Sequence, residues 1–156
     1  MSVFDSILEN PKADLKAFES NDDAKDTDVL MSALHAYYCR NQQAVTDFEA
    51  YFKCHRADTV WPLFIDRVLG LETFDESKLR GLSILLMRDG NTVEGVRFGI
   101  YLTKLYNLEP VQGAIRVMAE LAVHDSFYTL AVDALKPLAI YPVIADYIHR
   151  KRESNL

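Results

Sequence analysis

A chain of 156 residues, 49% hydrophobic and 26% charged, has the length and balance of one soluble globular domain and can bury a core without disulfide staples. A net charge of -6 and a pI near 5.2 oppose nonspecific binding to nucleic acid. Two cysteines, Cys39 and Cys54, make no disulfide framework, so a reducing cytoplasm is the expected compartment.

Residues 1–28 hold eight acids against three lysines, so most of the net charge lies there. The segment reads as an acidic helical N-terminus, with 29–152 as the helical core of a single domain spanning 1–156. Its acids exclude the basic-then-apolar pattern of a signal peptide. The most apolar stretch, 130–148, is broken by Asp133, Lys136 and Asp146, so no membrane span is expected.

In chain order the sequence predicts helices near 11–20, 28–40, 46–56, 59–70, 76–88, 92–106, 110–123, 126–138 and 141–151. Asn10 before Pro11 reads as a cap followed by proline at the first helical position. The run 20–28, Ser-Asn-Asp-Asp-Ala-Lys-Asp-Thr-Asp, reads as a flexible connection, with Asp26, Thr27 and Asp28 opening the second helix. The segments 46–49 (Thr-Asp-Phe-Glu), 73–76 (Thr-Phe-Asp-Glu) and 91–94 (Asn-Thr-Val-Glu) each place a cap three residues before a glutamate. Pro110 and Pro142 suit first turns. Strict alternation and hairpin signals are absent, which makes the fold all-α. Short connections set successive helices antiparallel.

Three glycines at 90, 95 and 99 raise the question of a phosphate loop. No strand signal precedes them, no Gly-Lys pair follows, and their spacing does not fit a dinucleotide fingerprint. The sequence predicts instead that Gly90 ends one helix in a left-handed conformation. Asn91 or Thr92 then caps the next helix, with Glu94 supporting the cap. Gly95 and Gly99 fall on one face of that helix, where each costs about 1 kcal/mol relative to alanine. Close approach of another helix backbone is the expected compensation. Projected at helical spacing, Glu94, Arg97, Tyr101 and Lys104 share an arc of about 80°, and nearly all the rest is apolar, glycine or threonine. This helix is expected to run through the centre of the molecule. Its neighbours are one-sided. Gln112, Arg116 and Glu120 face outward from the next helix, and Thr129, Asp133 and Lys136 form a narrow polar stripe on the one after.

Superposing 79–106 on 111–138 places Gly81 over Gly113, Leu86 over Met118 and Lys104 over Lys136. Each half is a helix, a short turn and a second helix, the form of a stacking helical-hairpin repeat. The first helix of 111–139, with Ala114, Ile115, Met118, Ala119 and Leu121, the turn residue Asp125 and the second helix 130–138 together resemble a HEAT repeat. The resemblance covers roughly 79–140. It implies antiparallel hairpins stacked as a short α-solenoid, with an irregular helical bundle as the competing architecture. It also implies a scaffold that binds partners on a concave face lined by second helices, which here contribute Arg97, Tyr101, Lys104, Thr129, Asp133 and Lys136.

Four constellations carry residue types with chemistry. His35, Cys39, Cys54 and His55 are zinc-ligand types. Cys39 and Cys54 are offset by roughly 10–18 Å along a helical hairpin, and adjacent Cys54 and His55 diverge by about 100°. Buried thiols and partly exposed imidazoles are the expected arrangement, with no metal or other cofactor. His124, Asp125 and Ser126 contain the triad types, but sequence neighbours do not normally point at one another, and Asp125 as a helix cap accounts for the run. The N-terminal acids make a solvated acidic face suited to a basic partner. The aromatics Tyr37, Tyr38, Phe48, Tyr51, Phe52, Trp61 and Phe64 are mostly core where the third to fifth predicted helices meet. The basic run 149–152 suits a helix C-terminus electrostatically.

With no catalytic or cofactor signature, the expectation is a non-enzymatic protein-binding module, an adaptor or a small acidic inhibitor of the immunity-protein type. Its expected partner is a protein, with a basic one suited to the acidic segment, and not nucleic acid or a membrane. The competing expectation is a small helical enzyme or ligand-binding bundle with a pocket near His35 and the aromatic cluster.

Overall fold

The computed structural model of the chain describes residues 2–19, 22, 27–71 and 74–154. Among them the α-helices are α1 (Val3–Glu9), α2 (Asp28–Tyr38), α3 (Gln43–Phe52), α4 (Ala57–Leu69), α5 (Glu76–Asp89), α6 (Val93–Leu102), α7 (Gln112–Leu121), α8 (Tyr128–Leu135) and α9 (Tyr141–Ser154), with short 3-10 turns at Lys16–Phe18 and Thr103–Leu105. No strand occurs among the described residues, and the fold is all-α as expected.

The first predicted helix is a correction. Residues 11–15 are a turn and irregular chain, and the helix lies earlier, over Val3–Glu9. Its start is Ser2, whose hydroxyl accepts the Asp5 N–H at 3.1 Å while Asp5 accepts the Ser2 N–H at 3.4 Å. Asn10 closes this helix rather than opening the next, and its side chain accepts the Lys12 N–H at 3.0 Å, a local turn that Pro11 fits. The flexible connection predicted at 20–28 falls mostly outside the described residues. The third helix also starts earlier than expected. Asn41 accepts the Gln43 N–H, so Thr46–Glu49 lies within α3 and caps nothing. Asp75 caps α5 by accepting the Lys78 N–H at 3.0 Å; Thr73, the expected cap, lies outside the described residues. α8 stops at Leu135, which leaves Pro137 just beyond its end.

α5 and α6 form an antiparallel hairpin, as do α7 and α8. α5 then lies on α7 and α6 on α8, like helix on like helix. α4 and α3 cover another side of α6, and α9 packs on α7. Two apolar cores result, and α6 belongs to both. Val93, Val96 and Ile100 join the core built with α1, α7, α8 and α9. Phe98 and Leu102 join the core built with α2, α3 and α4. Every residue from Val93 to Leu102 is buried except Arg97 and Tyr101, which are partly exposed. The helix expected at the centre is there.

Its glycines separate into different causes. A Cβ on Gly99 would lie 2.9 Å from Ser83 O and 3.0 Å from Met87 N, both backbone atoms of α5. The Ser83 hydroxyl donates to Gly99 O at 2.6 Å and accepts the Tyr106 hydroxyl at 2.9 Å. This is the close helix approach that the sequence predicts. Gly95 is different: its Cβ would strike the Thr92 hydroxyl at 2.8 Å, the oxygen that caps α6 by accepting the Gly95 N–H. Gly90 is not left-handed. Its φ is -61°, and its carbonyl accepts the Val3 N–H at 2.9 Å, tying α1 to the α5–α6 turn.

Gly99→Ala is expected to cost about 1–3 kcal/mol by forcing α5 and α6 apart, despite alanine's better helix propensity. Gly113→Ala, whose Cβ meets nothing within 4 Å, is expected to stabilise by about 0.5–1 kcal/mol. Urea unfolding of the two variants decides this, and equal effects of one sign would refute the packing role of Gly99.

Candidate functional site

The six residues expected to line the second-helix face fall into two groups. Thr129, Asp133 and Lys136 stand exposed on α8, and a Lys136–Asp133 ion pair of 3.6 Å is open to water. Such a pair contributes little to stability. Tyr101 belongs to α6, and Lys104 to the 3-10 turn that follows it. The Tyr101 ring lies on Trp61 of α4, with centroids 5.3 Å apart and planes at 17°. The Lys104 ammonium lies 5.3 Å from the Tyr101 ring centre. Burial raises the Tyr101 phenol above its ordinary value, and the Asp58 carboxylate adds to this while Arg97 opposes it. The phenol therefore stays neutral and able to donate.

Arg97 belongs to the fold more than to the surface. Its Nη1 donates to Glu94 Oε2 at 2.7 Å, and its Nη2 and Nε donate to Ser126 O at 3.2 and 3.4 Å. The guanidinium also lies 6.0 Å from the Phe127 ring centre. Glu94, expected on the polar arc and in a local cap, is instead only 3% exposed. Its other oxygen accepts the Ala57 N–H at 2.8 Å. Ala57 opens α4, which has no side-chain cap of its own. Glu94 thus caps a helix 37 residues away, and the Arg97 charge offsets its burial. Sequence reasoning missed this because a glutamate three residues after a cap site looks like a local capping box.

The zinc-type residues do not converge. His35 Nε2 and Cys39 Sγ are 3.9 Å apart on the exposed end of α2. His55 stacks on Tyr51, with centroids 4.3 Å apart, and bonds the Tyr51 carbonyl. Both thiols are exposed, which corrects the expected buried ones: each cysteine falls in a turn just past a helix. Among the described residues no group of three or more His, Cys, Asp or Glu side chains could hold a metal ion.

His124 and Asp125 also take other roles than expected. Asp125 caps nothing; it faces solvent and pairs with Arg152 at 2.8 Å. His124 is buried, and its Nδ1 accepts the Ser126 N–H at 3.0 Å, so its proton sits on Nε2 and is donated to Ala13 O at 2.8 Å. Both ring nitrogens are spent on backbone, which removes His124 as a base. Around it an open cleft of about 750 Å³ brings together Lys12, His124, Asp125, His149, Arg152 and Glu153. The Arg152 guanidinium lies over the Tyr128 ring at 4.2 Å. Within 149–152, His149 faces Glu153 at 3.1 Å and Arg150 pairs with Asp146 at 3.0 Å, which leaves little of that basic run free.

The aromatic cluster is core at its centre and partly open at its Tyr37 edge. Phe48, Phe52 and Phe64 are fully buried around Phe98, Trp61 is 7% exposed, and Tyr37 and Tyr38 are partly buried at the edge. The described acids of the N-terminal segment, Asp5, Glu9, Asp14, Glu19, Asp22 and Asp28, are all exposed. Among the described residues no helix is long and apolar enough to cross a membrane.

Comparison of the chain with protein-family models, with curated proteins and with solved structures finds no match.

Proposed function

We propose that the protein is a non-enzymatic protein-binding module, a HEAT-like helical scaffold acting as an adaptor or as an inhibitor of the immunity type. The working surface is the outer face of α6 and α8. The observation that carries this reading is the partly exposed Tyr101, stacked on Trp61 with the Lys104 ammonium over its ring. A rigid, half-buried tyrosine loses little rotamer entropy on binding, and aromatic anchors of this kind supply much of the energy of protein interfaces. Like-on-like stacking of the α5–α6 and α7–α8 hairpins supports the scaffold reading. The exposed N-terminal acids favour a basic partner and would speed its encounter.

Arg97 is a poor test residue because its loss disturbs the fold. The informative variants are Tyr101→Ala and Lys104→Glu, assayed by affinity capture from native lysate and then by titration with the protein recovered. The expected result is one partner at near-equal stoichiometry, with Kd rising about thirtyfold in Tyr101→Ala. Capture of no stoichiometric protein, or undiminished affinity in both variants, would overturn the reading.

A further inference from the structure

We infer that the cavity between the α2–α3 turn and α5 is a binding site for a small molecule carrying an oxyanion, carboxylate or phosphate, on a flat apolar body. The cavity has a volume of about 350 Å³ and is lined by Tyr37, Arg40, Asn41, Gln42, Val45 and Lys78. That volume lies within the ordinary range for ligand pockets. The lining holds two cations, two amides, an aromatic and an aliphatic side chain, and no acid, in a chain whose net charge is -6.

Two local costs bear on residues that line this cavity. Arg40 has φ 60°, the left-handed region, and among the described residues no other non-glycine has positive φ. Glycine or asparagine ordinarily fills such a turn position, so an arginine keeps its side chain there against the backbone's preference. The Arg40 guanidinium makes no hydrogen bond or ion pair among the described residues, so internal pairing does not explain it. The second cost is Gly81, in the middle of α5, where alanine would favour the helix. A Cβ on Gly81 would lie 3.0 Å from the Tyr37 hydroxyl, so the glycine leaves room for the phenol tip of a side chain that lines the cavity. Local rules broken together at one pocket are the pattern of a functional site.

Each lining group then has a role. Arg40 offers a planar fork that fits a carboxylate or phosphate through paired hydrogen bonds. Lys78 supplies a second charge at the rim. Its ammonium is held by donation to Tyr38 O at 2.5 Å and lies 5.6 Å from the Tyr38 ring centre. Tyr37 and Val45 provide apolar walls for a ring, and the Gln42 amide can bond a polar substituent. The site uses none of the residues of the α6–α8 surface, so it stands or falls independently of that reading.

The test is titration of the full chain with phenyl phosphate, benzoate, inorganic phosphate and neutral benzyl alcohol, followed by calorimetry and by backbone amide shifts. Saturable binding of phenyl phosphate or benzoate is expected, with shifts centred on residues 37–45 and 78, and the tighter of the two identifies the oxyanion. Arg40→Gly keeps the left-handed turn and removes the guanidinium. It is expected to raise Tm by about 2 °C while weakening the bound probe at least about tenfold. Gly81→Ala, which presses on Tyr37, should weaken binding without lowering Tm. No saturable binding of either aromatic anion overturns the assignment. So does equal binding of benzyl alcohol, inorganic phosphate binding as tightly as the aromatic anions, or an Arg40→Gly chain that binds like the wild type.

Discussion

Glu94→Leu is expected to destabilise the protein by about 3–5 kcal/mol. The side chain is 3% exposed, and its two oxygens hold the Ala57 N–H at 2.8 Å and Arg97 Nη1 at 2.7 Å. Leucine fills the space but accepts nothing. It leaves the first N–H of α4 without a partner and the guanidinium of Arg97 with only the Ser126 carbonyl to bond. Glu94→Gln separates the two losses. The amide oxygen can still accept from Ala57, so its cost should be smaller, about 1–2 kcal/mol, and should come mainly from the weakened contact with Arg97. A double-mutant cycle with Arg97→Met measures that contact directly. A coupling above about 1 kcal/mol in urea unfolding is expected, and additivity would mean that the pair is not what holds Glu94 in the interior.

The same network bears on function. Arg97 reads from sequence as one of three cations on the second-helix face, with Lys104 and Lys136, yet its three nitrogens are engaged by Glu94 and Ser126. What it offers a partner is an already paired, one-third-exposed guanidinium. Tyr101 and Lys104 are oriented by Trp61 and by each other, without a tie to distant backbone. Loss of binding in an Arg97 variant would therefore report on α4 and the α7–α8 turn as much as on the surface.

The elements legible in the sequence were those whose signals were strong and local. The wide apolar wrap of 92–106 identified the central helix, because a helix polar over only a narrow arc must be covered on several sides. Gly99 was legible for a similar reason: a mid-helix glycine costs stability unless a neighbour needs the space. The misreadings share a different origin. Asn10, Thr46, Glu94 and Asp125 are residues that cap helices, and each was assigned to the nearest helix start. In the structure Asn10 stabilises the turn after a helix, Thr46 lies inside one, Asp125 reaches Arg152, and Glu94 caps a helix remote in sequence. Which N–H a carboxylate meets depends on packing that no window of a few residues contains. Arg40 had no readable signal, since nothing in an arginine announces a left-handed backbone. The exposed thiols were missed because α2 and α3 end two and four residues before the expected boundaries, which moves Cys39 and Cys54 out of their helices.

Phe98→Ala is expected to cost about 3–5 kcal/mol and to lower Tm by about 10 °C. The ring is fully buried and sits among four others, with centroid distances of 6.3 Å to Phe48, 4.8 Å to Phe52, 5.9 Å to Trp61 and 5.0 Å to Phe64. These come from α3 and α4, so this one side chain of α6 joins both helices, with Tyr101 on Trp61 as a second ring contact to α4. Edge-on contacts with Trp61 and Phe64 add to the burial itself, since a ring edge carries the charge that a ring face attracts. Ile100→Val, in the other core of the same helix, should cost only about 0.5–1.5 kcal/mol. Because α6 supplies residues to both cores, the loss in Phe98→Ala should appear as one cooperative transition shifted downward. Hydrogen exchange should then show faster opening in α7 and α9 as well as in α3 and α4. Two separated transitions, with α7 and α9 keeping their wild-type protection, would show that the cores on either side of α6 fold independently and that the helix only links them.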